Sequence, residues 1–240
     1  MLSIIIPTYN ERENLDVLFA RFIAVKAASD EPLEMFVVDD RSPDGTAAYA
    51  RTLLHRAHLG RVIERVGMRD LTLAVLEAAR QATGDLIGVM DADLSHPPEV
   101  LPALVAAVRS GHDIAVASRY IKGGGVTGWP WHRRLLSRLG NLAARPLVPV
   151  ADATSGYFVC RRDLIASLPL QSRGFKLLLQ VLVEGNVQQI KEIPYTFQDR
   201  RQGSSKLRGR VLWLYGLQLV RLYWHRLRHP RHPMMVTGDG

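Results

Sequence analysis

The sequence predicts an α/β protein, with a mostly parallel central sheet and helices on both faces. Three observations carry this expectation. Short apolar runs alternate along the chain with longer segments of helical period, the pattern of strand–helix–strand units. The runs are continuous rather than alternating, so both of their faces are buried, as in parallel sheets. Hydrophobic residues make up 47% of the chain and charged residues 22%, which supplies a core and excludes a mostly disordered polymer.

The elements follow in order. Residues 2–7 are an apolar run ending in Pro7 and read as a strand. Residues 12–28 place Leu15, Leu18, Phe19, Phe22 and Ile23 at helical spacing. A second strand spans 33–38 and closes on Asp39 and Asp40. Ser42, Pro43, Asp44, Gly45 and Thr46 are turn chemistry leading into a helix over 46–57. A short strand at 62–64 and an apolar helix at 71–82 come next. A third buried strand, 85–90, ends at Asp91, Ala92 and Asp93. Pro97 and Pro98 open a helix running to Ser110, and 113–117 is another strand. The glycine-rich stretch 120–130 reads as a loop, 131–146 as a helix, and 157–160 and 187–193 as later strands. No internal repeat and no low-complexity linker divides the first 199 residues.

Charge and cysteine narrow the possibilities. The chain has 240 residues, 31 Lys and Arg, 23 Asp and Glu, and a formal net charge of +8. Residues 1–113 carry 11 basic and 17 acidic groups, and residues 114–151 carry 6 basic groups and no acidic one. Residues 152–199 balance at 5 and 5, and residues 200–240 hold 9 basic groups against 1 acidic. The whole excess therefore lies in the last 41 residues. Basic segments suit anionic partners or merely a solvated surface. No zinc, helix-turn-helix or RNA-binding signature accompanies them, so nucleic acid is not the expected partner. The single cysteine, Cys160, rules out an internal disulfide framework and a cysteine-based zinc site. No run of 18 apolar residues and no signal peptide is evident, which points to the cytosol.

In open α/β sheets, ligands bind beyond the carboxyl ends of the strands. Three strand ends here carry polar clusters: Pro7, Thr8, Tyr9, Asn10 and Glu11; Asp39 and Asp40; Asp91 and Asp93. Carboxylates gathered at one crevice repel unless a cation joins them. Hard oxygen ligands suit Mg²⁺ or Mn²⁺, and such an ion usually also holds a diphosphate.

These clusters, with Ser118, Arg119 and Tyr120, Thr154 to Tyr157, and Pro194 through Arg200 to Leu207, resemble the family 2 glycosyltransferases of the GT-A fold. Within them the chain is most similar to the dolichol- or polyprenol-phosphate mannosyltransferases. The matching segments span about residues 4–207 in family order. The resemblance implies a metal-dependent inverting enzyme that moves mannose from GDP-mannose to a polyprenyl phosphate. By resemblance, Pro7, Tyr9 and Glu11 line the nucleoside pocket, and Asp39 contacts base or ribose. Asp91 and Asp93 correspond to the metal-binding motif, followed by Ser95 where relatives often carry Gln. Arg119, Arg133, Arg200, Ser205 and Lys206 match the residues placed for the acceptor phosphate, and Asp93, Arg119, Arg133 and Arg200 form the implied catalytic set.

Two departures concern the donor side. Residues 69–75 read Arg-Asp-Leu-Thr-Leu-Ala-Val where relatives carry Gly-Leu-Gly before Ala-Val. Asp70 and Leu73 thus replace small residues, and Arg41 stands where relatives have Gly or Ser. His96 is expected to shape a turn and Cys160 to lie in the core, while Trp129 and Trp131 suit either core or lipid contact.

The catalytic domain is expected over 1–207 and a basic amphipathic tail over 208–240. In the tail, 211–224 place aromatic and basic residues around an apolar run too short to span a bilayer. That suits a helix lying in a membrane surface, on the cytosolic face, or equally a helix packed on its own domain. Residues 234–240 read as a frayed terminus. The rival functions are the same fold with a UDP-sugar donor or another acceptor, and a non-catalytic lipid- or partner-binding protein.

Overall fold

The computed structural model describes residues 1–67, 69–169, 176–199, 209–229 and 233–237. Its main sheet contains β1 (Leu2–Thr8), β2 (Leu33–Asp39), β3 (Gly60–Glu64), β4 (Leu86–Val89), β5 (Ile114–Ser118), β7 (Phe158–Arg161), β8 (Gln189–Pro194) and β10 (Met235–Thr237). The strand order is β10-β8-β5-β7-β4-β1-β2-β3. Only β7 runs antiparallel to its neighbours, β4 and β5. All other pairings in this sheet are parallel.

The continuous apolar runs have the expected consequence. Ile4 and Ile6 point to one face of the sheet and Ile5 to the other, and all three are fully buried. On the Ile4 side lie α1 (Arg12–Ala27), α2 (Thr46–Ala57) and α4 (Leu101–Arg109). A short 3₁₀ turn, Pro98–Val100, leads into α4. On the Ile5 side lie α3 (Leu71–Gln81), α6 (Arg162–Ala166) and α7 (Leu177–Glu184). Cys160 is buried in this second core, as expected, and burial pushes its thiol pKa up.

Several parts of the chain differ from the sequence expectation, which placed no helix at α6 or α7. The glycine-rich stretch holds a short strand, β6 (Gly125–Val126), which pairs in parallel with β9 (Thr196–Phe197). This second sheet is too short to show any period. The C-terminal segment is a helix, as expected, followed by a strand that was not. Its helix α8 (Gly209–Arg228) buries Leu222 against the second core. Its Tyr215 and Tyr223 hydroxyls donate to the carbonyls of Gly140 and Ala143, at 2.9 and 2.8 Å, on α5 (Trp131–Ala144). Arg221 pairs with Glu184 of α7 at 3.3 Å. Part of the stretch expected to fray, Met235–Thr237, is instead β10, paired with β8 at the sheet edge. His112 Nε2 and the Thr237 hydroxyl meet at 2.8 Å and hold that edge. Three residues are too few to announce a strand, and an edge partner must already exist for them to join.

Candidate active site

The three polar clusters meet at the carboxyl end of the sheet, because β1, β2 and β4 are parallel neighbours. Each cluster turns through a residue with left-handed backbone: Asn10 (φ 58°), Arg41 (φ 59°) and Leu94 (φ 64°). L-residues rarely hold that conformation, and glycine takes it without a Cβ clash. This explains why glycine suits the position of Arg41.

The loops after β1 and β2 are stitched together. The Asn10 amide donates to Ser42 Oγ at 2.9 Å, the Glu11 amide to Thr46 Oγ1 at 3.1 Å, and the Arg12 amide to Asp44 Oδ2 at 3.2 Å. Thr46 donates to Asp44 through both its amide and its hydroxyl. Turn residues thus satisfy backbone donors that a helix start leaves open. Asp39 is fully buried and accepts from Thr8 Oγ1 at 3.0 Å and from Ser42 through its amide and hydroxyl at 2.8 and 2.5 Å. Its carboxylate shapes the loop that carries Ser42. Pro7, Tyr9 and Glu11 are half-buried at the rim, and Glu11 accepts from Asn14 at 2.6 Å.

The departures at 69–75 have structural roles. Asp70 is the N-cap of α3, its side chain accepting from the Leu73 amide at 3.0 Å. Asp70→Ala should cost about 1 kcal/mol of stability, read as a lower midpoint in urea with an unchanged slope. An unchanged midpoint would remove the capping role. The Arg69 guanidinium carbon lies 3.4 Å from the centroid of the Tyr9 ring, so a cation covers one face of this aromatic side chain. Nearby, Arg65 pairs with Asp40 at 2.5 Å and with Glu77 at 3.1 Å. The pKa of Asp40 is raised, chiefly by burial, against the opposing pull of Arg65.

Asp91 and Asp93 sit where β4 ends. Asp93 is buried, and its Oδ1 accepts from the Ser95 amide at 3.1 Å and hydroxyl at 2.5 Å. Ser95 therefore orients Asp93. The Asp91 side chain is 38% exposed. His96 shapes the turn, as expected: its Nδ1 accepts from the Asp91 amide at 3.0 Å, and its ring stacks on Tyr157 at 5.3 Å. Burial lowers the His96 pKa against the pull of Asp91 and Asp93, so the ring stays neutral with its proton on Nε2. Gly156 keeps the floor low, since a Cβ there would lie 3.1 Å from His96 Cε1 and 3.4 Å from Asp91 Oδ2.

The donor set fits a hard divalent cation. It consists of two carboxylates two residues apart, with both Ser95 bonds falling on Oδ1 of Asp93. Among the described residues, no group of three or more His, Cys, Asp or Glu side chains can hold a metal by itself. An ion here must take its remaining ligands from water and a bound phosphate, as Mg²⁺ and Mn²⁺ sites do.

The arginines are engaged by carboxylates. Arg119 is buried and forms a two-pronged pair with Asp152, Nε to Oδ2 and Nη2 to Oδ1, both at 2.7 Å. Its Nη2 also reaches Thr154 Oγ1 at 3.2 Å. Burial opposes the charge of Arg119, but Asp152 outweighs it and raises the pKa. Asn141 donates to Asp152 at 3.4 Å, and the buried Glu192 accepts from the amides of Ala151 and Asp152. Arg133 pairs with Asp199 at 2.8 Å and lies 4.0 Å over the Trp129 ring. Trp129 is buried and packs on Phe197, whereas Trp131 is exposed. Arg200, Ser205 and Lys206 lie outside the described residues. Sequence reasoning missed Asp152 and Asp199, which lie 33 and 66 residues from the arginines they hold.

Comparison with known proteins identifies the family and the fold. The model of the family described as "Glycosyl transferase family 2" matches residues 3–168. The dolichol-phosphate mannosyltransferase of Pyrococcus furiosus is 41% identical over 225 residues, covering 92% of this chain and 63% of that protein. The chain thus spans less than two thirds of that relative's length. The dolichol-phosphate mannosyltransferase of Saccharomyces cerevisiae is 35% identical and covers 92% of this chain and 86% of its own. The polyprenol monophosphomannose synthase of Mycolicibacterium smegmatis is 38% identical over 86% of this chain and 80% of its own. Among solved structures, the glucosyl-3-phosphoglycerate synthase of Mycobacterium tuberculosis with Mn²⁺, UDP-glucose and glycerol 3-phosphate superposes with a TM-score of 0.68. It is 20% identical and covers 99% of this chain and 87% of its own, a likeness of fold. The chain belongs to glycosyl transferase family 2, with a GT-A fold and with dolichol- and polyprenol-phosphate mannosyltransferases among its relatives.

Proposed function

We propose that this chain transfers mannose from GDP-mannose to the phosphate of a polyprenyl monophosphate, on the cytosolic face of a membrane. The observation that carries the reading is the match over 92% of the chain to a dolichol-phosphate mannosyltransferase. An acidic pair at the end of β4 and two arginines, Arg119 and Arg133, set against the Trp129 ring support it.

The chemistry is a single displacement. An oxygen of the acceptor phosphate forms the new bond to the anomeric carbon as the bond to the nucleoside diphosphate breaks, and the configuration inverts. A phosphate monoester is already ionised near neutral pH, so no general base is needed. Two anionic reactants must instead be brought together, which is work for fixed cations and positioning. By resemblance, Arg119, Arg133 and Arg200 would supply planar donors for phosphate oxygens, and Ser205 and Lys206 would share that role. Pro7, Tyr9 and Glu11 take the nucleoside, and Asp39 fixes the loop next to it. Asp91 and Asp93 would hold Mg²⁺ or Mn²⁺, which when bound supplies charge neutralisation at the donor diphosphate.

The test is incubation of labelled GDP-mannose, UDP-glucose and UDP-N-acetylglucosamine with polyprenyl phosphate and either metal. Mannolipid from GDP-mannose is the expected product. No glycolipid from any donor would overturn the enzyme reading. Product only from a UDP-sugar would favour the second reading, which the guanidinium over Tyr9 motivates.

The membrane assignment draws on two helix faces. On α5, Trp131, Leu135, Leu139 and Leu142 are exposed at helical spacing. On α8, Trp213, Leu217, Val220, Trp224 and Leu227 form a second exposed stripe. The two tyrosine bonds to Gly140 and Ala143 hold these helices side by side. Exposed Arg134, Arg138, Arg145 and Arg228 flank the apolar residues. No helix of the described residues is long and apolar enough to cross a membrane. Two amphipathic helices with tryptophans and arginines suit the interface of an anionic bilayer. The double variant Trp131→Glu, Trp224→Glu should sediment with anionic vesicles at least about tenfold more weakly, while its melting temperature stays near that of the parent. Unchanged vesicle binding would move the assignment to another surface.

A further inference from the structure

We propose that Tyr9 and Arg69 form a clamp for the base of the nucleotide, which stacks between the phenol ring and the guanidinium and is gripped more firmly when it is a purine. The proposal rests on the nucleotide-sugar reading above for its ligand, and its experiment needs no turnover.

The strand order places a ligand crevice beside Tyr9. The chain runs from β1 to β2 and β3 on one side and to β4 on the other. Ligands of open α/β sheets bind where the order reverses, outside the carboxyl ends of the strands. Tyr9 follows β1 at that point and is half-buried. Arg69 comes to it from the loop after β3. Two contacts fold that loop over the end of β2: Arg65 pairs with Asp40 at 2.5 Å, and its Nη1 also donates to the Asp70 carbonyl at 3.4 Å. Asp70 then fixes the start of α3 as its N-cap. Arg69 stands between these anchors, with its guanidinium carbon 3.4 Å from the Tyr9 centroid. So short a distance to the centroid places the guanidinium over the ring and not beside it, the stacked arrangement that arginine adopts on aromatic faces.

The contact has the properties of a movable cover. Arg69 is exposed, and exposed cation–π contacts are weak. Gly67, two residues earlier, has a φ of 136° and nothing within 4 Å of where a Cβ would stand. The loop therefore carries a position of wide backbone freedom next to the cover. Admitting a flat ring requires the guanidinium to rise by about 3.5 Å, the thickness of one aromatic layer. The inserted base then meets a π-face on one side and a planar cation on the other, and nucleobases stack on both kinds of surface. A two-ring purine covers them more fully than a one-ring pyrimidine. Arg69 thus selects the donor by its base and takes no part in bond breaking.

The experiment compares Arg69→Ala and Arg69→Lys with the parent protein by calorimetry, with GDP and UDP as titrants and Mg²⁺ present throughout. Losing one stacking plane weakens binding about 5- to 100-fold. Arg69→Ala should weaken GDP within that range and UDP by a smaller factor, with a melting temperature near that of the parent. Arg69→Lys keeps the charge and loses the plane, so it should behave like Arg69→Ala. GDP affinity within about twofold of the parent in Arg69→Ala overturns the clamp. Tighter GDP binding overturns it too, since Arg69 would then compete with the base. Full recovery in Arg69→Lys, or a loss with UDP as large as that with GDP, has the same effect. If Arg69→Ala does not fold, phenylglyoxal labelling of the parent protein decides. Protection of Arg69 by GDP supports the clamp, and equal labelling with and without GDP overturns it. A parent protein that makes mannolipid while Arg69→Ala keeps its GDP affinity loses the clamp alone. A parent protein that makes glycolipid only from a UDP-sugar, yet shows the larger Arg69→Ala loss with GDP, loses the mannose donor and keeps the clamp.

Discussion

Asp93→Ala is expected to reduce turnover by at least about 10³-fold, some 4 kcal/mol of transition-state stabilisation. Asp93 lies at the end of a fully buried strand, so its carboxylate is placed by the sheet. Ser95 fixes its rotamer through two bonds to the same oxygen. Asp91 is held differently: its side chain is 38% exposed and its backbone amide donates to His96. The fold should survive, because the bonds lost to Ser95 are worth only about 1 kcal/mol each. Nucleotide binding should lose its dependence on Mg²⁺ or Mn²⁺, and chelator treatment of the parent protein should give the same result. Asp93→Ala with turnover near that of the parent would overturn the metal assignment.

Asp152→Ala is expected to damage both stability and activity. It leaves the buried Arg119 guanidinium without its two-pronged partner, which typically costs about 3–5 kcal/mol. For a chain of this size that corresponds to a melting temperature lower by roughly 6–20 °C. The Arg119 amide and Asn141 lose an acceptor at the same time. The double variant Arg119→Met, Asp152→Leu should melt above Asp152→Ala, because no charge is then left alone, and it should remain inactive. Calorimetric melting of the three proteins checks both statements. If Asp152→Ala melts with the parent, the pair carries no stability and its proposed role in shaping the cleft fails.

These two variants also mark what is legible in sequence. Asp91 and Asp93 are legible because strand and cluster are contiguous: an apolar run predicts the strand, and its end predicts the crevice. Tyr9 and the Ser42–Thr46 turn are legible for the same reason. Asp152 is not, because it lies 33 residues from Arg119 in a stretch with no period. Lys176 looks like an ordinary surface lysine, yet Gln218, 42 residues on, holds its backbone. The departures at 69–75 look like changes to a donor pocket. In the structure Asp70 is a helix cap, and Arg69 lies over the Tyr9 ring.

The C-terminal segment divides the two kinds of information most clearly. Its apolar and basic composition, and the period of its helix, follow from sequence alone, as does the order of strands and helices before it. Periodicity reports which residues share a face, and that is a local property of the backbone. It does not report what covers each face. Only the packed structure turns Leu222 and Gln218 inward while leaving Trp213 and Trp224 outside, and only an existing edge at β8 makes a strand of Met235–Thr237. Sequence alone determined the family, the sheet and the acidic strand ends. Tertiary structure decided which carboxylates hold Arg119 and Arg133, how Gln218 holds the backbone of Lys176 and which apolar stripes stay exposed, because those depend on contacts between segments distant in the chain.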